Sequence, residues 1–217
     1  MSCLSEIIKM KFVTVIKGLL GFKRSNQLNR YAGIEGWLTS AEAEGLYEIA
    51  SLLSKKSCVL EIGSWKGKST WCISQGLKKG TIICIDPFNA AGEEGSKEIY
   101  ETTKGEKSLL QQFKKNLTDV HSSVKIKTMQ GYSNEFVGAV SNIDFLFIDG
   151  DHSIEGCRFD YEHFEKDIKP GGFLAFHDYY PDRPELGPTW VVDNLVKKNI
   201  AYTHYKYFDS LCVFKKT

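Results

Sequence analysis

Two rhythms of apolar residues alternate along the chain. Short, largely unbroken apolar runs recur at CVLEIG (58–63), TIICIDPF (81–88), VKIKTMQG (124–131), NIDFLFIDG (142–150) and GGFLAFHDY (171–179). Segments between them carry apolar residues at helical spacing instead, as at Leu46, Ile49, Ala50 and Leu53, or at Leu109, Leu110, Phe113 and Leu117. The first of these helices is announced by Thr39 or Ser40 as N-cap, with Glu42 and Glu44 in its first turn. Further helices are expected at STWCISQGLK (69–78), CRFDYEHFEKDI (157–168) and TWVVDNLVKK (189–198), and two last strands at AYTHYKYF (201–208) and LCVFKK (211–216).

Apolar runs that do not alternate belong to strands buried on both faces, which needs a parallel sheet with helices on each side. The last two strands have no helix between them, so they form an antiparallel hairpin at one edge. The expected fold is therefore α/β: a doubly wound, seven-stranded, mostly parallel sheet with an antiparallel edge hairpin. No repeat or low-complexity linker divides it. Residues 31–217 are expected as one domain, preceded by a basic arm over residues 1–30.

In that arm Lys9, Lys11, Lys17, Lys23 and Arg24 are interleaved with Ile8, Phe12, Ile16, Leu19 and Phe22. The pattern suits either peripheral contact with a membrane surface or packing on the body or on a second subunit, and the apolar residues keep to no single clean face. No run of 18 uncharged apolar residues crosses a membrane, and Lys17 interrupts the sole candidate for a secretory core. Lys and Arg total 28 against 27 acids, a net charge of +1, which gives no general attraction to nucleic acid. The six cysteines, at 3, 58, 72, 84, 157 and 212, contain no CxxC pair, so reduced thiols in a cytoplasmic setting are expected rather than zinc or a redox dithiol.

The chemistry begins at LEIGSWKGKST (60–70). Its GKST ending imitates a triphosphate loop, but that loop has four residues between its first glycine and the GK pair. Here Gly63 and Gly67 enclose Ser64, Trp65 and Lys66, one too few. A nicotinamide-dependent oxidoreductase would show GxGxxG, and bulky Trp65 stands where that turn needs its second glycine. What remains is E-x-G-x-x-x-G between a strand and a helix, and Asp86, ending the next strand 19 residues after Gly67, has the place and spacing of an acid that binds ribose hydroxyls.

This combination resembles the class I S-adenosylmethionine-dependent methyltransferases, whose sheet is Rossmann-like. The resemblance implies that S-adenosylmethionine lies along Glu61, Gly63, Ser64, Trp65, Gly67 and Ser69, with its ribose at Asp86, Pro87 and Phe88. Its adenine would lie at Gly131, Tyr132 and Ser133, and Asp149 would close the site from the fourth strand.

FIDGDHS (147–153) and FHDYY (176–180) place two ionisable clusters at the ends of neighbouring strands, facing one pocket. Carboxylates converging with an imidazole suit a divalent cation that orients a substrate hydroxyl. This is similar to the metal-dependent branch that methylates sugar hydroxyls of macrolides and aminocoumarin-type products, with relatives in cephalosporin biosynthesis. The resemblance implies metal ligands at Asp149, His177 and Asp178, with magnesium or manganese as the ion. His177 departs from the acidic pair of that branch, and imidazole is a poor magnesium ligand.

The base is His152 or Asp151. An imidazole, with a pKa near 6.5, is better matched to a hydroxyl near neutrality. The competing role for His152 is as cap of the following helix, which Ser153 would fill equally well. The connection from Phe88 to Ser108 is the expected lid. Phe88, Tyr100, Tyr132, Tyr179, Tyr180 and Trp190 are available either to stack on a sugar or aromatic acceptor or to fill the core. The expected activity is methylation of a hydroxyl on a small molecule such as a sugar, natural product or envelope precursor. The alternatives are a non-catalytic Rossmann-like binding protein or an oxidoreductase, and homo-oligomerisation stays open.

Overall fold

A computed structural model of the protein describes residues 30–91 and 97–217. The basic arm, apart from Arg30, and the middle of the expected lid lie outside the described residues, as does the side chain of Tyr100. Strands β1 (Ser57–Ile62), β2 (Gly80–Asp86), β3 (Val124–Gln130), β4 (Ile143–Ile148), β5 (Ile168–Phe176), β6 (Tyr202–Phe208) and β7 (Leu211–Lys216) form one seven-stranded sheet in the order β3-β2-β1-β4-β5-β7-β6. The first five are parallel, and β7 pairs antiparallel with both β5 and β6. This is the doubly wound Rossmann-like arrangement the apolar runs predict.

Successive residues of the central strands enter opposite cores. Val59, Ile82, Phe145 and Phe147 pack with helices α1 (Ser40–Leu52), α2 (Lys68–Gly76) and, after α3 (Lys97–Lys104), α4 (Leu109–Asn116). Leu60, Ile83, Leu146 and Ile148 pack with α5 (Ile154–Phe164) and α6 (Gly187–Asn194). Burial on both faces explains why these strands read as continuous apolar runs. In the expected stripe of α4, Leu109, Phe113 and Leu117 are buried and Leu110 is partly covered. Among the described residues no helix is long and apolar enough to cross a membrane.

Helix α3 was not expected from the polar connection in which it lies; Ile99, an apolar residue there, is exposed. Helix α1 begins as anticipated, with Thr39 as cap. Its hydroxyl accepts from the Glu42 amide at 3.2 Å, and its own amide donates to Glu42 Oε2 at 2.8 Å. That reciprocal capping box fixes Glu42 so that Oε1 also receives the Ser210 amide and hydroxyl at 3.1 and 2.6 Å. A first-turn acid thereby ties the helix to the β6–β7 turn.

Strand order reverses between β1 and β4, which run side by side but continue to β2 and β5 in opposite directions. Ligands of open α/β sheets bind outside the carboxyl ends of the strands at such a switch point. The Gly63 amide donates to Ile85 O at 2.9 Å and the Asp149 amide to Ile62 O at 2.9 Å, so the ends of the central strands are stitched together under the crevice.

Candidate active site

The β1–α2 turn is shaped by contacts that no side chain at residue 63 would permit. Gly63 has φ +85°, and a Cβ there would stand 2.0 Å from the Asp149 carbonyl oxygen. At Gly67, φ +84°, a Cβ would press on the Phe113 ring at 3.0 Å. Glu61 lies wholly buried beneath the turn and accepts from Ser64 Oγ at 2.8 Å, from Ser69 Oγ at 2.6 Å and from Thr70 Oγ1. Burial raises its carboxyl from 4.5 to about 6 although those hydroxyls pull the other way. It does not reach the cavity; its work is to hold the turn that a ligand would touch.

Asp86 performs a related task from β2. Its Oδ2 accepts the Ser64 and Trp65 amides at 2.9 and 2.7 Å, and its Oδ1 accepts the Phe88 amide at 2.6 Å. Burial raises its pKa, and the three amides oppose that rise. A carboxylate has about four acceptor positions, so one remains for a ribose hydroxyl.

Above this floor opens a cavity of about 650 Å³, within the range of small-molecule and cofactor sites. Of the residues expected at the site, Gly63, Ser64, Trp65, Ser69, Asp86, Pro87, Gly131, Tyr132, Ser133, Asp149, Asp151, His152, His177 and Asp178 line it. Glu61, Gly67 and Phe88 are not among its walls. The Phe88 ring belongs to the core, 5.1 Å from that of Phe113. Tyr179 is buried and Trp190 packs on the core beside α5 and α6, whereas Tyr132 is exposed at the cavity wall.

At the β4 and β5 end, two imidazoles and three carboxylates meet. His152 Nε2 lies 2.9 Å from Asp178 Oδ2 and 3.8 Å from Asp149 Oδ1. His177, 4% exposed, places Nδ1 at 3.0 Å from Asp178 Oδ2 and 3.2 Å from Asp149 Oδ1, with Nε2 at 3.1 Å from Glu42 Oε2. Nδ1 is hydrogen-bonded with Asp178 Oδ2, whereas Nε2 is near Glu42 without a well-aligned hydrogen bond, so the ring stands among three carboxylates that favour its protonated form. Burial opposes that charge, but Asp149, Asp178 and Glu42 outweigh it and hold His177 far above 6.5. Burial likewise disfavours the charged forms of Asp178 and Glu42. Bonds from His152 and His177 nevertheless hold Asp178 well below 3.8, and His177 with Ser210 and Thr39 draws Glu42 down to about 2.

The sequence places metal ligands at Asp149, His177 and Asp178, and the geometry gathers a set that differs in its third member. Among the described residues, the donor atoms that lie together, within 4.8 Å of one another, are those of Asp149, His152 and Asp178. His177 is not in that group; its Nδ1 faces Asp149 and Asp178 and its Nε2 faces Glu42, an arrangement that suits a counter-charge to the carboxylates. Two carboxylates and one imidazole fit a divalent ion, and suit manganese, iron or zinc better than magnesium. His152 is not needed as a cap, because Ser153 Oγ accepts the Gly156 amide at 3.0 Å. Asp151 Oδ1 accepts the Ser153 amide at 2.8 Å, and the residue stays exposed at the cavity wall.

Several wall residues escaped the sequence reading. Trp37, half exposed, approaches Trp65 with ring centroids 5.7 Å apart, and Asn89 donates to the Tyr132 hydroxyl at 3.0 Å. Phe159 and Asp160 line the cavity from α5 together with Gly156. Their spacing to Gly156, three and four residues, marks one helix face, a signal that was present in the sequence. For Glu42, whose partner His177 is far along the chain, no local signal exists.

Residues 60–179 match a family described as a methyltransferase domain. The protein R132 of Acanthamoeba polyphaga mimivirus, described as uncharacterized, is 29% identical over an alignment of 160 residues that covers 68% of this chain. The chain spans 64% of the length of that relative. Among solved structures, the O-methyltransferase NovP superposes with a TM-score of 0.60 at 14% identity, covering 84% of this chain and 83% of that one. An O-methyltransferase from Bacillus cereus, in complex with S-adenosylhomocysteine, gives 0.56 at 15% identity, covering 88% of each chain. At these identities the likeness is one of fold.

Proposed function

Since the chain belongs to the methyltransferase-domain family matched by its residues 60–179, we propose that it transfers a methyl group from S-adenosylmethionine to a hydroxyl of a small-molecule acceptor. The observation that carries this reading is the continuity of one cavity from the glycine turn and Asp86 to the His152–Asp178 pair. The turn and Asp86 would hold the donor, with its ribose on the remaining acceptor position of Asp86 and its methyl directed across the switch point toward Asp149. Direct displacement then asks the protein to align the methyl with the acceptor oxygen and to remove one proton.

His152 is the favoured base. Asp178, 2.9 Å from Nε2, orients the ring, as a carboxylate does for a histidine base. A second arrangement is favoured by the gathering of Asp149, His152 and Asp178. These three would hold a divalent ion, which when bound orients an acceptor hydroxyl and lowers its pKa. His152 is then occupied, and the proton passes to Asp151. Trp37 and Tyr132 at the cavity wall offer ring faces to a sugar or aromatic acceptor. Free thiols at Cys58, Cys72, Cys84, Cys157 and Cys212 accord with a reducing, cytoplasmic setting. Peripheral membrane contact through the arm is tested by liposome sedimentation with and without residues 1–25.

Calorimetric titration with S-adenosylhomocysteine tests the donor site. Micromolar binding by the wild type is expected, with loss in Asp86→Ala, which releases the amides of the turn. A folded wild type that takes up no ligand overturns the reading. Repeating turnover in EDTA and after manganese addition separates the two arrangements: loss and recovery favour the ion with Asp151, and indifference favours His152.

A further inference from the structure

At the pole remote from the cavity, where the parallel strands begin, five lysines stand together. Lys55 and Lys56 lead into β1, Lys78 and Lys79 lead into β2, and Lys125 is the second residue of β3. These strands are neighbours in register, with Ser57 opposite Gly80 and Gly80 opposite Val124. Backbone bonds tie their entry turns to one another: the Lys56 amide donates to Lys79 O at 2.9 Å, and Ser123 Oγ donates to Lys78 O at 3.0 Å. All five lysines are exposed, and among the described residues no carboxylate pairs with them. Asp119 and Asp144, the acids of the adjoining turn and strand, are matched instead to Arg30 at 3.3 Å and Lys169 at 2.6 Å. Lys56 also stands at φ +70°, a left-handed conformation that favours glycine or asparagine. A lysine after a helix complements its dipole, but that attraction fades beyond the last turn, and Lys125 lies in a strand.

Apolar side chains are exposed at the same pole. Leu52, in the last turn of α1, is 55% exposed, and Ile200, just before β6, is 98% exposed. β6 starts beside the end of β7, and so at the same end as the start of β5, which places Ile200 there. Arg30, where the basic arm of the sequence joins the body, is held by Asp119 in the turn between α4 and β3. The arm, with its interleaved basic and apolar residues, is therefore joined to the body beside the lysines.

We propose that this pole, centred on Lys55, Lys56, Lys78, Lys79 and Lys125, docks on an anionic lipid surface. The proposal is independent of the methyl-transfer reading, and it adds to the arm a surface of the folded body. Each lysine near such a surface strengthens binding about fivefold, and Leu52 and Ile200 suit the headgroup boundary. Nucleic acid would meet the same charge, but single strands are held by aromatic platforms, and the exposed apolar residues of this pole are aliphatic. The cavity lies at the opposite, carboxyl ends of the strands. Docked in this way, the protein opens its cavity toward water, and the acceptor reaches it from solution.

The test is sedimentation of the full chain with phosphatidylcholine vesicles, with and without phosphatidylserine. The wild type is expected to bind the phosphatidylserine vesicles at least about tenfold more tightly, and to be released as salt rises beyond about 0.1 M. A variant combining Lys55→Gln, Lys56→Gln, Lys78→Gln and Lys79→Gln, its fold checked by urea unfolding, is expected to lose at least about tenfold of that binding. A second variant removes the same charge away from this pole, through Lys104→Gln, Lys107→Gln, Arg183→Gln and Lys206→Gln, and is expected to stay within about threefold of the wild type. Equal weakening in both variants, or none in the first, overturns the proposal. Equal binding to the two kinds of vesicle overturns it as well. A wild type that ignores both vesicles but takes up a DNA duplex assigns the charge to nucleic acid and overturns lipid docking.

Discussion

Both ends of the cavity hide carboxylates, but they neutralise them differently. Under the glycine turn, Glu61 is met by hydroxyls and Asp86 by backbone amides, all without net charge. Across the crevice, Glu42, Asp149 and Asp178 are met by the two imidazoles of His152 and His177. Neutral dipoles hold a backbone in one shape and have no proton to release near neutrality. An imidazole also balances charge and can pass a proton. The first solution suits a cradle, the second suits chemistry.

The sharpest way to break this comparison is His152→Ala. Turnover is expected to fall about 10²- to 10⁴-fold, the usual worth of a positioned base, while the dissociation constant for S-adenosylhomocysteine, read by calorimetry, changes by less than about threefold. A variant that loses binding and keeps turnover would reverse the roles assigned to the two ends.

Next in size is His177→Leu, which leaves three carboxylates facing one another without their buried cation. Removing one partner of a buried ion pair typically costs about 3–5 kcal/mol, to be read from urea unfolding. Adding Glu42→Gln should recover part of that loss, because the most deeply buried of the opposed acids is then neutral.

At the cradle, Gly63→Ala drives a Cβ to within 2.0 Å of the Asp149 carbonyl oxygen. Overpacking of this kind costs roughly 1–3 kcal/mol, and the ligand affinity should drop with it because the turn must move. Retained affinity would show that the turn is less tightly specified than its contacts require.

The smallest effect is expected for Glu61→Gln, no more than about 1 kcal/mol at pH 7, since the surrounding hydroxyls can turn to donate or accept. Its mark lies in the pH profile. The folded protein holds Glu61 at about 6 rather than 4.5. Between those values the folded state binds the proton that the unfolded state has lost. Wild-type stability from this group therefore falls as pH rises through the window, by about 2 kcal/mol, and Glu61→Gln should lack that slope.

The sheet was legible because burial on both faces leaves an unbroken apolar signature, and the edge hairpin because no helix separates its strands. Helix α3 was hidden in a polar connection with an exposed Ile99. The glycine turn could be read because its strain restricts which residues fit. Glu61 was placed at the right turn but on the wrong side of it, since sequence spacing does not say whether an acid points to ligand or to backbone. His177 was read by the company it keeps in sequence, beside Asp178. Its second partner, Glu42, comes from α1 and only the fold brings the two together. Asp160 was absorbed into an amphipathic helix, where an acid on the cavity face looks like any other polar position.

The reversal of strand order between β1 and β4 also divides the chain lengthwise. Chain up to the 3-10 turn ending at Phe136 furnishes β1, β2 and β3, and chain from Ile143 onward furnishes β4 and everything across the seam. One short stretch, residues 137–142, thus separates the segment that carries the glycine turn and Asp86 from the segment that carries Asp149, His152, His177 and Asp178. Glu42 bridges the two: it belongs to the first segment and pairs with His177 of the second, so neither segment completes the site alone.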